Sequence, residues 1–217
     1  MDKIISAEEA FHKIKDGMSV MVSGFLCVGS AKTIVDKIAE SNIKDIILIV
    51  NDTGTPTLGC GKWVVNKQVK KVIATHIGLN SETGRQMNEG ELDVELVPQG
   101  TFAERIRIGG AGIGGFYTPT GVGTEVEIGK EKKNINGKDY ILEKPLRAEV
   151  ALINGAIVDK NGNVYYDATA RNFNPLMAMA ADIVICEAEK IVEVGEIDPN
   201  MVITPGILVD YIVQGGK

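Results

Sequence analysis

From residue 16 to residue 41 the chain reads Asp16-Gly-Met-Ser-Val-Met-Val-Ser-Gly-Phe-Leu-Cys-Val-Gly-Ser-Ala-Lys-Thr-Ile-Val-Asp-Lys-Ile-Ala-Glu-Ser41. The apolar run 18–22 has the length of a buried strand, and a loop bracketed by glycines follows at 23–29. Ser30 is a good N-cap for the helix that follows. The apolar face of that helix is formed by Ile34, Val35 and Ile38. The stretch predicts a strand, a glycine loop and a helix.

The glycine loop has two open interpretations. It would bring backbone N–H groups to the positive end of a helix, where an anionic or phosphate-bearing ligand can bind. A strand-to-helix turn without a ligand gives the same pattern. An NTPase P-loop is excluded, because its lysine follows the second glycine directly so that the loop wraps one phosphate. Here Lys32 and Thr33 come two residues too late after Gly29, which moves Lys32 into the helix.

The composition of the 217 residues is that of a soluble globular protein, with 44% hydrophobic and 24% charged residues. The net charge of −6 argues against nucleic acid as a general partner. No apolar run approaches the ~20 residues that cross a membrane, and the first residues lack the apolar core of a signal peptide. Cys27, Cys60 and Cys186 are widely spaced without a metal-site motif. This indicates reduced thiols in a cytoplasm and no metal.

Apolar strands alternate with helical segments throughout the chain. The predicted strands are 18–22, 46–50, 69–76, 92–97, 150–153 and 183–186, and further helices are predicted at 6–15, 62–67, 82–90, 102–108 and 176–181. Asn136-Gly137 predicts a hairpin with a type I′ turn, inserted at the edge of the domain. We therefore predict an α/β fold with an open, mainly parallel sheet flanked by helices and a small β-hairpin insertion. We expect a single domain over residues 1–217.

Polar side chains follow the predicted strand 46–50. Ligands of open α/β sheets bind at the carboxyl edge of the strands. Asn51, Asp52 and Thr53 are therefore candidate site residues, and simple turn chemistry is an equal alternative.

The densest glycine cluster, 109–115, contains a literal G-x-G-x-x-G. Its glycines are Gly110, Gly112 and Gly115. The dinucleotide fingerprint needs a strand before it and a helix after it. A predicted helix capped by Thr101 precedes the cluster, and Phe116-Tyr-Thr-Pro follows it. Dinucleotide binding is therefore excluded, and a mobile or backbone-lining loop is expected.

No side chain is a convincing nucleophile or catalytic base. The chain has no G-x-S-x-G elbow and only two histidines, of which His76 ends a strand and could face a site. Cys27 is either a nucleophile with a pKa lowered by a helix N-terminus or a small hydrophobe in a tight loop. Glu104 is either a base or a first-turn charge.

Six motifs, in this order and spacing, resemble the α subunit of family I CoA-transferases, the group that includes acetate/butyrate–acetoacetate and 3-oxoacid CoA-transferases. The resemblance covers essentially the whole chain. The motifs are Asp16-Gly17 with the following strand and residues 23–29, Asn51-Asp-Thr53, Pro98-Gln-Gly-Thr101 with Glu104-Arg-Ile-Arg107, Gly109-Gly-Ala-Gly112, Tyr117-Thr-Pro-Thr-Gly-Val-Gly-Thr124 and Ala170-Arg-Asn-Phe-Asn-Pro175.

The resemblance implies a role for each motif. The assigned CoA-binding signature corresponds to Ser23, Gly24, Phe25, Leu26, Cys27, Val28 and Gly29. In the family, glycine is usual at position 23 and proline at position 31, where this chain has Ser23 and Ala31. Asn51 and Gln99 would lie near the thioester as supporting hydrogen-bond donors. The acyl pocket would be lined by Gly110, Ala111, Gly112, Tyr117 and Thr118.

The implied reaction moves CoA between a short-chain acyl-CoA (acetoacetyl-, butyryl- or acetyl-CoA) and a free carboxylic acid, through a glutamyl-CoA thioester. The glutamate belongs to a Ser-Glu-Asn-Gly motif on a partner β subunit, and that motif is absent here. The resemblance thus implies an α2β2 enzyme with CoA as substrate. Two alternatives stay open: a non-catalytic binding protein for acyl-CoA or a sugar phosphate, and a self-sufficient isomerase or hydrolase with Glu104 or His76 as base.

Overall fold

The computed structural model describes residues 3–216 and shows two sheets. Its strands are β1 (Ser19–Val22), β2 (Ile46–Asp52), β3 (Val69–His76), β4 (Asp93–Leu96), β5 (Phe116–Thr118), β6 (Lys132–Ile135), β7 (Lys138–Glu143), β8 (Ala148–Asp159), β9 (Val164–Tyr165), β10 (Ala181–Val192) and β11 (Tyr211–Gln214). The main sheet has the order β11-β10-β8-β1-β2-β3-β4, with parallel pairing throughout this path. Strand β9 pairs antiparallel with β8. The predicted α/β class with a mainly parallel sheet is confirmed.

The helices flank the main sheet. They are α1 (Ala7–Phe11), α2 (Lys32–Ala39), α3 (Gly61–Val65), α4 (Ser81–Asn88), α5 (Gln99–Ala111) and α6 (Asn174–Met179). Helix α1 begins with a capping box between Ser6 and Glu9. It was predicted to reach residue 15 but ends at Phe11. The next backbone hydrogen bonds, from the Lys13 N–H to the Ala10 carbonyl and from the Ile14 N–H to the Phe11 carbonyl, span three residues instead of the four of an α-helix. This is the spacing of a closing turn.

Both faces of the main sheet are buried. Val20 and Val22 of β1 belong to the hydrophobic cluster on one face, which also contains Trp63. Met21 belongs to the cluster on the opposite face, together with Phe102. Because successive side chains on a strand point to opposite faces, a strand covered on both sides is apolar at every position. The continuous apolar runs of the sequence follow from this burial.

The order of the strands reverses beside β1. The chain adds β2, β3 and β4 on one side of β1 and then returns to add β8, β10 and β11 on the other. Ligands of open α/β sheets bind outside the carboxyl ends of the strands, near such a switch point. Residues 23–29 leave the carboxyl end of β1 and therefore occupy this position.

The predicted hairpin is one part of a three-stranded antiparallel sheet, β5-β7-β6. Asn136 (φ 51°) and Gly137 (φ 81°) both have positive φ, as a type I′ turn requires. The third strand, β5, was missed because three residues are too few to show the alternation that marks a strand. Glu143, at the end of β7, is buried and bonds Lys130 at 2.6 Å, with the Arg105 guanidinium 3.9 Å away. These charges fasten the small sheet to α5.

Helix α5 is longer at both ends than predicted. Thr101 was expected to be its cap, but the helix begins at Gln99 after Pro98, and Thr101 is buried inside it. At the other end the helix continues through Gly109 and Gly110 to the left-handed cap Gly112 (φ 70°). The expected loop therefore begins only at Gly112. Gly109 leaves no room for a side chain, because the segment that contains Leu146 passes close to the helix. A Cβ on Gly109 would lie 2.3 Å from the Leu146 carbonyl oxygen.

Candidate functional site

A cleft of about 410 Å³ opens at the carboxyl edge of β2 and β3. Asp52 and His76 are partners in the register of these two strands, which places the strand ends side by side. The cleft is lined by Phe25, Leu26, Asn51, Asp52, Thr75, His76, Leu79 and Gln99. The structure thus brings together the first glycine loop, the Asn51 motif and Gln99, which lie far apart in the sequence.

The tip of the glycine loop is a tight turn with unusual backbone geometry. Phe25 and Val28 exchange two backbone hydrogen bonds, at 3.1 and 3.0 Å. Between them Leu26 (φ 48°) and Cys27 (φ 67°) lie in the left-handed region, which costs about 1–2 kcal/mol for each residue with a side chain. Surrounding contacts must therefore hold this turn.

Two asparagines hold the loop, Asn172 just before α6 and Asn174 at its first position. The Asn172 carboxamide accepts from the Gly24 N–H at 3.2 Å and donates to the Val28 carbonyl at 2.9 Å. Asn174 donates to the Gly29 carbonyl at 3.0 Å, and the Ser23 hydroxyl donates to the same oxygen at 2.8 Å. Neither asparagine was chosen as a site residue from the sequence. The signal that could have identified them was their position inside the Ala170–Pro175 motif.

The N-terminus of α2 is occupied by a carboxylate of the chain itself. Glu187 accepts from the Thr33 N–H at 3.0 Å, from the Thr33 hydroxyl at 2.8 Å and from the Ile34 N–H at 3.2 Å. Burial raises the pKa of Glu187, and the bonds from Thr33 oppose that shift. A ligand phosphate therefore has no place at this helix end. The expectation that Ser30 caps the helix is also wrong: Ala31 is the N-cap, and its side chain makes no capping bond.

Asn51 was expected in a turn but is a buried residue of β2, 2% exposed. Its Nδ2 donates to the Asp52 carboxylate at 2.9 Å. The Thr75 hydroxyl lies 3.1 Å from its Oδ1. Gln99 is the first residue of α5 and is exposed. The cleft therefore has one fixed carboxamide and one that is free to adjust.

Cys27 does not have the properties of a nucleophile. Burial, followed by the nearby Asp52 carboxylate, raises the pKa of its thiol, so the alternative of a thiolate at a helix N-terminus is wrong. Glu104 does not line the cleft, and a hydrogen bond from Arg107 lowers its pKa. A lowered pKa disfavours a catalytic base.

The five residues expected to line an acyl pocket do not line this cleft. Gly110 packs against α6, where an added Cβ would lie 2.6 Å from the Met179 Cβ, whereas Ala111 and Gly112 are exposed. Tyr117 and Thr118 lie in β5, and the Tyr117 hydroxyl donates to Glu131, which raises the pKa of Tyr117. Their contact with an acyl group stays a prediction.

The described residues offer neither a metal site nor a membrane-spanning helix. Between residues 3 and 216, no group of three or more His, Cys, Asp or Glu side chains is arranged to hold a metal ion. No helix in this range combines the length and the hydropathy needed to cross a membrane.

Comparison with known proteins adds sequence evidence to this geometry. A family model described as Coenzyme A transferase matches residues 4–215. The chain is 50% identical over 211 residues to the acetate CoA-transferase subunit alpha of Escherichia coli (strain K12), covering 97% of this chain and 96% of the relative. It is also 50% identical over 212 residues to the acetoacetyl-CoA:acetate/butyrate CoA transferase alpha subunit of Clostridium acetobutylicum, covering 98% and 97%.

Solved structures share the fold at low identity. An acyl-CoA transferase from Escherichia coli O157:H7, in a thioester complex with CoA, matches with a TM-score of 0.89 and 21% identity over 98% of this chain. This chain spans about half of that protein, 47%. Glutaconate coenzyme A-transferase from Acidaminococcus fermentans matches with a TM-score of 0.85 and 19% identity, covering 98% of this chain and 75% of that one. The structural matches show the shared fold, and the family model with the α-subunit relatives shows that the chain belongs to the coenzyme A transferase family.

Proposed function

We propose that this chain is the α subunit of a CoA-transferase that moves CoA between a short-chain acyl-CoA and a free carboxylic acid. The observation that carries the proposal is the composition of the cleft: two carboxamides and a glycine loop without a free carboxylate. The one carboxylate that lines it, Asp52, accepts hydrogen bonds from three N–H groups. The attacking glutamate is therefore supplied by a β subunit. The relatives of this chain are themselves named as α subunits.

In the proposed reaction the partner's glutamate attacks the acyl-CoA carbonyl. An acyl-enzyme anhydride forms and the CoA thiolate leaves. The thiolate then attacks the glutamyl carbonyl, which releases the first acid and leaves a glutamyl-CoA thioester. The acceptor carboxylate then attacks the glutamyl-CoA thioester and displaces the CoA thiolate, which forms a second anhydride. The thiolate attacks the acceptor's carbonyl in that anhydride, which gives the new acyl-CoA and frees the glutamate. These four covalent steps conserve the energy of the thioester without ATP.

This chain contributes hydrogen-bond donors and a binding surface. Negative charge develops on a carbonyl oxygen each time a tetrahedral intermediate forms, and a well-placed donor to that oxygen is worth about 3 kcal/mol. Asn51 and Gln99 are the proposed donors. Phe25, Leu26 and Val28 are each about half exposed at the loop tip. We assign them to contact with the apolar parts of CoA, and we assign the acyl pocket to residues 110–112 together with Tyr117 and Thr118.

The missing nucleophile supports a partner subunit, and the α2β2 stoichiometry of the proposal rests on the family resemblance. Since the chain supplies one wall of the cleft, we propose that it acts as a single domain in an α2β2 enzyme with CoA and carboxylic acids as substrates. Its three cysteines are free thiols, which suits a reducing compartment. A cytoplasmic location is part of the proposal.

The test is to purify the chain alone and with a partner that carries Ser-Glu-Asn-Gly. CoA exchange between acetoacetyl-CoA or butyryl-CoA and acetate is then measured for both. Exchange is expected from the complex only. In a second arm the complex is incubated with acyl-CoA without an acceptor and then denatured. The mass of each subunit is measured by mass spectrometry. The CoA adduct is expected on the partner; activity of the lone chain, or an adduct on this chain, would refute the proposal.

A further inference from the structure

The Asp52 carboxylate lies where two loops and the Asn51 side chain meet. It is 7% exposed. Its Oδ2 accepts from the Leu26 N–H at 2.9 Å and from Asn51 Nδ2 at 2.9 Å, and its Oδ1 accepts from the Gly54 N–H at 3.0 Å. No lysine, arginine or histidine among residues 3–216 forms an ion pair with it. The buried charge is therefore stabilised by these N–H groups.

The two loops that Asp52 joins are repeats of one another. Residues 24–29 and 54–59 both have the pattern G-x-x-x-x-G, each between a parallel strand and a helix. Their inner residues form the same bridge, Phe25 with Val28 and Thr55 with Leu58. Asp52 accepts one N–H from each loop. A single carboxylate thus sets the spacing between them.

Asp52 also determines which way the Asn51 carboxamide faces. The Thr75 hydroxyl has one proton and two acceptors within reach, the Asn51 carbonyl at 2.9 Å and Oδ1 at 3.1 Å, so it does not specify the orientation by itself. An ionised carboxylate only accepts hydrogen bonds, so the Asn51 NH2 group must face Asp52. The second Nδ2 hydrogen has no partner among the described residues, and Asn51 lines the cleft.

We propose that Asp52 is a positioning residue. It presents the second Asn51 N–H to the carbonyl oxygen of the reacting thioester and holds the two glycine loops at one spacing, without contacting the substrate. This inference rests on the proposed function and deepens it by explaining how the donor is oriented.

The test compares Asp52→Asn in two backgrounds of the αβ complex. The asparagine keeps the shape of the side chain but replaces one acceptor oxygen by a donor, so at least one of the three N–H groups loses its acceptor. In the wild-type background kcat should fall about 10-fold, which is less than the 10²–10³-fold effect of deleting a whole donor. In the Asn51→Ala background the same substitution should lower kcat by less than about 2-fold, since residues that act as a unit are non-additive.

Asp159→Asn is the matched control, because Asp159 is also buried and also accepts three N–H bonds, from the Asn161 N–H, the Asn163 N–H and Asn163 Nδ2. It should lower the melting temperature and leave kcat unchanged. An unchanged kcat in Asp52→Asn, or an equal loss in both backgrounds, would overturn the inference. If the wild-type complex transfers no CoA, the proposed function fails instead. The orientation of Asn51 by Asp52 is then tested on the full chain by NMR, because the side-chain amide signal of Asn51 must shift in Asp52→Asn.

Discussion

Gly29 offers the sharpest test of how the glycine loop is held. Its φ is +75°, and an added Cβ would lie 2.3 Å from the Ala170 carbonyl oxygen and 2.8 Å from Asn172 Nδ2. Gly17 has nearly the same φ, +79°, but nothing within 4 Å of its Cβ position. Alanine at either position therefore has the same backbone cost, and only Gly29→Ala adds a collision with backbone.

The expected magnitudes follow from this difference. A side chain at such a φ costs about 1–2 kcal/mol, and overpacking against a neighbour that cannot move adds about 1–3 kcal/mol. Gly17→Ala should therefore lower the free energy of unfolding by about 1–2 kcal/mol, and Gly29→Ala by about 2–5 kcal/mol. In a chain of this size each 1 kcal/mol lowers Tm by about 2–4 °C.

Urea and thermal unfolding of the two variants measure these values, and steady-state kinetics of the αβ complex supply a second readout. Gly29→Ala should also raise KM for the acyl-CoA, because the loop must move away from residues 170–174, whereas Gly17→Ala should leave KM unchanged. Equal destabilisation by both substitutions would refute the reasoning, since the contact with Ala170 would then contribute nothing.

Three further predictions concern single side chains. Gln99→Ala should lower kcat of the complex about 100-fold if its carboxamide meets the developing oxyanion; unchanged kinetics would exclude that role. The pKa of Glu187 is raised above 4.5 in the folded chain, so its contribution to stability is full below pH 4.5 and is lost as pH rises through the folded pKa. Urea unfolding should therefore show wild type losing stability relative to Glu187→Gln as the pH rises from 4.5 through the folded pKa, and a constant difference would contradict this. Because the pKa of Cys27 is raised, its alkylation by iodoacetamide at neutral pH should be slower than that of free cysteine, as followed by mass spectrometry; faster labelling would restore it as a nucleophile candidate.

The strands of the main sheet were predictable because they are covered on both faces. The run 46–50 is continuously apolar for that reason, and it became part of strand β2. Strand β8 was harder to delimit: only 150–153 was predicted, but it spans Ala148–Asp159. Its second half contains Asn154 and Gly155, which have low strand propensity. Pairing with β10 along its length overrides that preference.

The site was predictable in its parts. Its motifs, residues 23–29, 51–53 and 98–101, carry signals in residue type and order. Their meeting in one cleft depends on the parallel register of β1, β2 and β3 and on the start of α5, which no local pattern encodes. The contacts of Asn172 and Asn174 with the glycine loop span 148 and 145 residues of sequence and could be seen only in three dimensions.

Residues 16–41 show which features local sequence determines and which depend on the tertiary structure. The sequence by itself determined the strand, the tight glycine turn and the apolar helix face, because each depends on side chains within a few residues of one another. Only the tertiary structure decided what occupies the helix N-terminus. The sequence allowed an external anion there, but Glu187, more than 150 residues away, fills it. A buried carboxylate needs donors and the N-terminus of a helix needs acceptors, so the fold satisfies both internally, and the adjacent cleft is the proposed ligand site.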